Sequence, residues 1–177
     1  QYATEPITLE NLAQLLWAAQ GITAPEKWVG LRTAPSAGGL YPLEVYVVVK
    51  PTGVVGLDAG VYHYNPQTHS LTAKTYGDLS GELMAAAVNQ EWVGNAAANI
   101  VLTAIFDRTT IKYGDRGAQY VWQESGHIDQ NIYLQATTLG LATTVIGAFF
   151  EGEVQRILGI PAEEKPVYIA TVGVPSE

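Results

Sequence analysis

The apolar positions of this chain fall into alternating helical and strand-like segments. Leu9, Leu12, Leu16 and Ala19 recur at helical spacing, Thr8 can cap the first turn, and Gly21 follows, which predicts a helix from Leu9 to Gln20. A loop carrying Gly21, Pro25, Gly30, Pro35, Gly38 and Gly39 leads into Leu43 to Val49, a β-branched apolar run that reads as a buried strand. Gly60 to Tyr64, a turn at Asn65-Pro66-Gln67-Thr68 and a strand around Ser70 to Thr75 predict a hairpin. The Ala-rich stretch Leu79 to Asn89 reads as helix and Ile100 to Phe106 as a buried strand. Thr143 to Phe149 reads as a short strand that ends in Gly147. Glu151 to Leu158 is a short helix stopped by Gly159 and Pro161, and Val167 to Val172 is a final buried strand.

The longest predicted helix runs from about Gly117 to Leu139 and is closed by Gly140. Its apolar stripe is Val121, Ile128, Ile132 and Leu139, and another face carries Tyr120, His127, Asn131 and Leu134. Glu124 and Asp129 are its acidic residues, so it lacks the charged side of a surface helix and is expected to be central, packed by neighbours or by a second subunit. Strands and helices interleave without repeats or linkers. The expected architecture is α+β with a mixed central sheet flanked by helices, as one domain over residues 1–177.

Composition narrows the function classes. Of 177 residues, 47% are hydrophobic and 15% charged, which excludes a disordered chain, while the apolar runs are too short to span a bilayer. Cys is absent, which removes disulfides, thiolate metal sites and Cys nucleophiles. Nine basic against 17 acidic residues give a net charge of −8, so neither a nucleic-acid surface nor a polybasic membrane surface is expected. The apolar excess fits either a large monomer core or surface buried in an oligomer. Gln1 to Glu5 lack the basic and apolar regions of a signal peptide, and a cytoplasmic location is expected.

The rigid chemical motifs are missing: no Walker loop, no GxGxxG, and no ligand spacing around His63, His69 or His127 that would make a metal site. Ser36 lies outside a GxSxG elbow, although a hydrolase built on Ser36 and His127 is conceivable. Three segments stand out. Arg32 to Pro42 (RTAPSAGGLYP) combines stiffening prolines with Gly38 and Gly39, where something flat can approach the backbone, or is an ordinary loop. Arg108, Lys112 and Arg116 cluster ahead of the long helix and can hold an anion such as a phosphate, or are a solvated loop paired with Asp107 and Asp115. Thr144 to Phe149 ends a strand on Ile146-Gly147, where a planar ligand can meet backbone, or where the chain needs a turn.

In their order along the chain, PITLENLAQLLWAAQGI, RTAPSAGGLYPLEVYVVV, GVYHYNP, KYGDRGAQYVWQESGHIDQNIYLQATTLGLATTVIGAF and VYIATVGVP resemble the nitroreductase-like flavoproteins over nearly all residues. Tyr41-Pro42 and the Gly126-His127…Gln130-Asn131 pattern are most similar to the SagB-type branch, which includes the azoline dehydrogenases of modified peptides. The resemblance implies a homodimer with two FMN sites at the subunit interface and the long helix at its core. Pro35, Ser36, Ala37, Gly38 and Gly39 would line the flavin ring from the partner subunit, and Ile146 and Gly147 would offer backbone hydrogen bonds beside the hydride-accepting nitrogen. His127 and Asn131 become polar contacts between helices or beside the flavin. The family's Arg-Arg-Ser segment would precede Tyr2, and its basic residue would follow Gly173-Val174-Pro175, where this chain has Ser176-Glu177; Arg32, Arg108 or Arg116 would then serve the phosphate.

Lys112-Tyr113 matches the Lys-Tyr pair of the azoline dehydrogenases. Those enzymes remove a proton while a hydride moves to flavin, and a Lys kept neutral by burial and by Arg108 and Arg116, or a Tyr, can be the base. The expected function is FMN-dependent hydride transfer by a ping-pong route on a small-molecule or peptide substrate. A NAD(P)H-driven nitro or quinone reductase and a flavin-binding protein without turnover are the alternatives.

Overall fold

The computed structural model describes residues 1–26 and 30–176, so the middle of the Gly/Pro loop lies outside the described residues. Helix α1 spans Leu9–Gln20, with the Thr8 hydroxyl accepting from the Asn11 N–H as the sequence predicts. Short strands β1 (Ile22–Ala24) and β2 (Leu31–Arg32) pair with each other, and a 3₁₀ turn at Ala37–Gly39 precedes β3 (Leu43–Val49). The hairpin β4 (Gly60–Asn65) and β5 (Ser70–Tyr76) follows, then α2 (Ser80–Ala86), α3 (Glu91–Asn95) and β6 (Ala98–Ile105). Helices α4 (Asp107–Tyr113) and α5 (Arg116–Thr138) lead to β7 (Ala142–Ile146), α6 (Glu151–Leu158) and β8 (Glu164–Gly173).

Six strands form the main sheet in the order β5-β4-β3-β6-β8-β7, and each pairing is antiparallel. The α+β expectation stands, but the sheet expected to be mixed is antiparallel. Periodicity locates strands without fixing which neighbours they pair with, and here no helix makes a right-handed crossover between adjacent parallel strands. Both faces are covered, which is why β3 and β6 carry buried apolar residues on both sides. Val45 and Val47 of β3 face Leu12, Leu16, Ile128 and Ile132 of α1 and α5. Tyr46 and Val48 of β3 face Leu83, Val154 and Leu158 of α2 and α6 on the other side. Among the described residues no helix is long and apolar enough to cross a membrane.

The segment read as a cationic loop is helix α4, and this matters for the site. Thr109 is buried, and α4 packs directly onto the start of α5 through Gly117. A Cβ on Gly117 would stand 2.7 Å from the Thr110 Cα and 2.9 Å from its N, both fixed backbone atoms, so only glycine permits this approach. Helix α5 is also more one-sided than its sequence suggests. Val121, Ile128 and Ile132 are fully buried in the chain's own core, while Trp122 (51%) and Leu134 (59%) face outward.

Candidate functional site

The sheet and helices bring two of the three singled-out segments together. The loop before β3 turns sharply: Gly38 has φ +64°, and the Ser36 Oγ accepts the Tyr41 N–H at 2.9 Å, which ties the turn across its base. A Cβ built on Gly38 would lie 2.7 Å from the Tyr113 hydroxyl and 2.8 Å from the Lys112 Nζ. The tips of Lys112 and Tyr113, at the last turn of α4, therefore converge on the bare face of this glycine. Tyr113 is further held edge-on against Tyr120 of α5, with ring centroids 5.2 Å apart.

Beside this convergence is a cavity of about 560 Å³ lined by Arg32, Pro35, Ser36, Gly38, Gly39 and Tyr41. That volume is within the usual range for small-molecule sites, and the wall includes Arg32, whose Nε is buried without a partner, so these residues fit a flavin that carries a phosphate. Arg32 is anchored at its wall: Nη1 donates to the Gln20 Oε1 at 2.8 Å, the guanidinium stacks 4.4 Å from the Tyr41 ring centroid, and Nε is buried without a partner. Burial lowers the Arg32 pKa from its ordinary value, partly countered by Glu44. A second cavity of about 520 Å³ shares Thr23 and Thr33 with the first and continues the groove to Asn131, whose Nδ2 donates to the Ala18 carbonyl at 3.1 Å and so bonds α5 to α1.

The basic residues divide. Arg108, expected to be available for a phosphate, pairs with the Glu44 Oε1 at 2.6 Å and donates to the Tyr41 carbonyl at 3.1 Å. Burial pushes the Glu44 carboxyl up, but His63 and Arg108 outweigh it and hold its pKa below the ordinary value. This clamp fastens α4 to the end of the loop and to β3. Arg116, at the first turn of α5, and Lys112 make no ion pair among the described residues. Lys112 is exposed, which corrects the expectation that burial surrounds it; a seven-residue helix on the surface covers little more than its Thr109 side.

Ile146 and Gly147 lie elsewhere. Ile146 pairs with Ile169, Ile169 with Val101, and Val101 with Tyr46, so the end of β7 stands three strands away from β3. At about 4.8 Å per step that is on the order of 14 Å across the sheet. Neither Ile146 nor Gly147 lines the cavities beside the loop.

The residue that sequence reading missed is Glu124 of α5. It is only 2% exposed, and it shares a cavity of about 220 Å³ with Pro35, Ser36, Ala37 and His127. Burial pushes its pKa up to about 7, with Ser36 and Arg32 partly offsetting this. The signal was present in the spacing: Glu124 falls three residues after Val121 and four before Ile128, on the buried stripe rather than opposite it.

The relationships to known proteins agree with this architecture. Residues 1–174 match the nitroreductase family. The nitroreductase-family protein MJ1384 of Methanocaldococcus jannaschii is 43% identical over 173 residues, which cover 98% of this chain and 84% of that protein. McbC of Escherichia coli, the microcin B17-processing protein, is 27% identical over 163 residues, covering 87% of this chain. The chain spans 57% of McbC's length. The solved E. coli microcin synthetase McbBCD complex with truncated pro-MccB17 bound contains a chain that superposes with a TM-score of 0.87 at 24% identity, over 99% of this chain and 67% of that one. The chain belongs to the nitroreductase family, a class of flavin-dependent oxidoreductases.

Proposed function

We propose that this protein is an FMN-dependent oxidoreductase of the SagB type, working by two successive half-reactions on a small-molecule or peptide substrate, and that two copies build each site. The observation that carries this reading is the convergence of Lys112 and Tyr113 on Gly38 beside the loop cavity. A bound flavin supplies hydride transfer. The residues of this chain bind it, exclude water and handle the proton. Pro35, Ser36, Ala37, Gly38 and Gly39 form the wall on which a flat ring rests. Arg32, at that wall, and Arg116, without a carboxylate partner, serve the phosphate, and Asn131 bounds the adjoining groove. Ile146 and Gly147 of a second copy supply the remaining backbone contacts.

In this reading Lys112 Nζ takes the proton that leaves substrate carbon as the hydride departs, and the Tyr113 hydroxyl, fixed by Tyr120, orients the substrate. Exposure of Lys112 in the single chain agrees with a site closed by a second copy or by substrate. The likeness to MJ1384 favours a second reading, a nitro or quinone reductase using NAD(P)H, in which no base is required. Anaerobic mixing of the flavin-loaded protein with NAD(P)H, then with a quinone or an azoline-bearing peptide, tests both. Bleaching by NAD(P)H with recolouring by the quinone alone selects the reductase. Bleaching by the azoline peptide itself selects the dehydrogenase. No bleaching by either leaves a flavin-binding protein without turnover.

A further inference from the structure

The buried carboxyl of Glu124 has no role in the chemistry above, yet it lies one residue's thickness from the cavity. Pro35 and Ser36 line both the 220 Å³ cavity that holds Glu124 and the 560 Å³ cavity beside Gly38. Glu124 Oε1 is buried without a hydrogen-bond partner. The Ser36 Oγ accepts the Tyr41 N–H at 2.9 Å and so has one lone pair and one O–H still to place. Ser36 shares the Glu124 cavity and acts on its carboxyl; a Glu124 carboxylate would take the Ser36 O–H and leave Ser36 only a lone pair for the larger cavity. If Glu124 is protonated, its O–H donates to that lone pair, and the Ser36 O–H is free to donate into the larger cavity.

We propose that Glu124 and Ser36 form a one-proton switch, which decides whether the loop presents a hydrogen-bond donor or an acceptor to the ligand in the 560 Å³ cavity. A ligand offering acceptor atoms there, a flavin ring on the reading of the preceding section, binds with Glu124 protonated. One proton moves from solvent to the carboxylate, the Ser36 hydroxyl rotates, and no covalent bond changes. Arg32 from β2 is the charged group that acts on this carboxyl, Ser36 faces it from the loop, and Tyr120 and His127 of its own helix share its cavity. Burial places the transition near neutral pH, at about 7. Glu124 is thus a positioning residue that acts through Ser36.

The test is calorimetric titration of FMN into the protein at neutral pH in buffers of different ionisation enthalpy, which counts protons taken up on binding. Wild type should take up more protons than Glu124→Gln, whose amide donates to Ser36 at every pH, and its FMN affinity should fall by up to about tenfold per pH unit above the transition. The phosphate of FMN titrates alike in both and cancels. Ser36→Ala keeps the carboxyl but breaks the link and should also lose the extra proton. Equal proton uptake in all three proteins overturns the inference. If FMN does not bind wild type, the flavin reading falls, and infrared spectra of the ligand-free protein then read the switch alone. Asp129, which burial pushes up to about 6, also contributes a protonated-carboxyl band at pH 6, so a component of that band that Glu124→Gln removes and Ser36→Ala shifts supports it. A component that is missing, or indifferent to Ser36→Ala, overturns it.

Discussion

Gly38→Ala separates the conformation of the loop from the action of the groups that converge on it. At φ +64° a Cβ carries the left-handed cost of about 1–2 kcal/mol. For a chain of this size that lowers the Tm by about 2–8 °C. The new methyl would also stand 2.7 Å from the Tyr113 hydroxyl and 2.8 Å from the Lys112 Nζ. Both atoms end side chains and can retreat, so the clash adds little to the loss of stability. They must, however, move out to an ordinary contact of about 3.5 Å, a displacement of roughly 0.7 Å. Misplacement on that scale costs about 10- to 100-fold in rate where the displaced groups act on substrate. Differential scanning fluorimetry, flavin content and the rate of substrate oxidation per bound flavin are measured on the same preparation. A variant that melts with wild type refutes the left-handed turn. A variant with the lowered Tm but an unchanged rate per flavin refutes the role of Lys112 and Tyr113.

Lys112→Ala should lower the oxidation rate per bound flavin by about two to four orders of magnitude with flavin content near normal; a drop in flavin content with an unchanged rate would instead assign Lys112 to the phosphate. Glu124 contributes to a pH-dependent stability: burial raises its folded pKa from 4.5 to about 7, so its favourable contribution is full below pH 4.5 and is lost as pH rises through 7. That rise corresponds to about 3 kcal/mol, which urea denaturation should show as a decline from pH 4.5 to 7 that becomes shallower in Glu124→Gln, the remainder coming from Asp129, which burial pushes up to about 6. Arg at Ile128 or Ile132 should unfold the chain, since both are fully buried in its own core. Arg at the exposed Trp122 or Leu134 should leave a folded monomer without flavin, as sedimentation and the visible spectrum would show. A Trp122→Arg or Leu134→Arg dimer that retains flavin would exclude this face of α5 from the subunit contact.

Much of the fold is legible because buried strands and capped helices carry strong local signals. Thr8 and the spacing of Leu12 and Leu16 locate α1, and Leu43 to Val49 gives β3 residue for residue. Helix α4 is not legible in the same way. Its seven residues include Asp107, Arg108, two threonines and Lys112, and its helicity comes from docking on Gly117 of α5 rather than from an apolar stripe. Short β1 and β2 pair with each other and contain no buried apolar run that would mark them in the sequence. The loop Pro35–Gly39 and Lys112-Tyr113 are visible as composition, but their meeting at Gly38 depends on α4 being a helix that turns its last residues back over the loop. Glu124 escapes notice because an acidic residue is normally assigned to solvent, and only its register with Val121 and Ile128 betrays its burial.

In the proposed reading the loop before β3 and the last turn of α4 form one wall of an FMN site. This is tested most directly by titrating the purified protein with FMN, and separately with FAD, while following the quenching of flavin fluorescence and the visible spectrum. Saturable quenching by FMN at one flavin per chain is expected, weaker by at least tenfold in Gly38→Trp, whose side chain starts 2.7 Å from the Tyr113 hydroxyl and 2.8 Å from the Lys112 Nζ and forces α4 away from the loop. Fluorescence that stays unquenched in wild type, or quenching that is the same in Gly38→Trp, would contradict it.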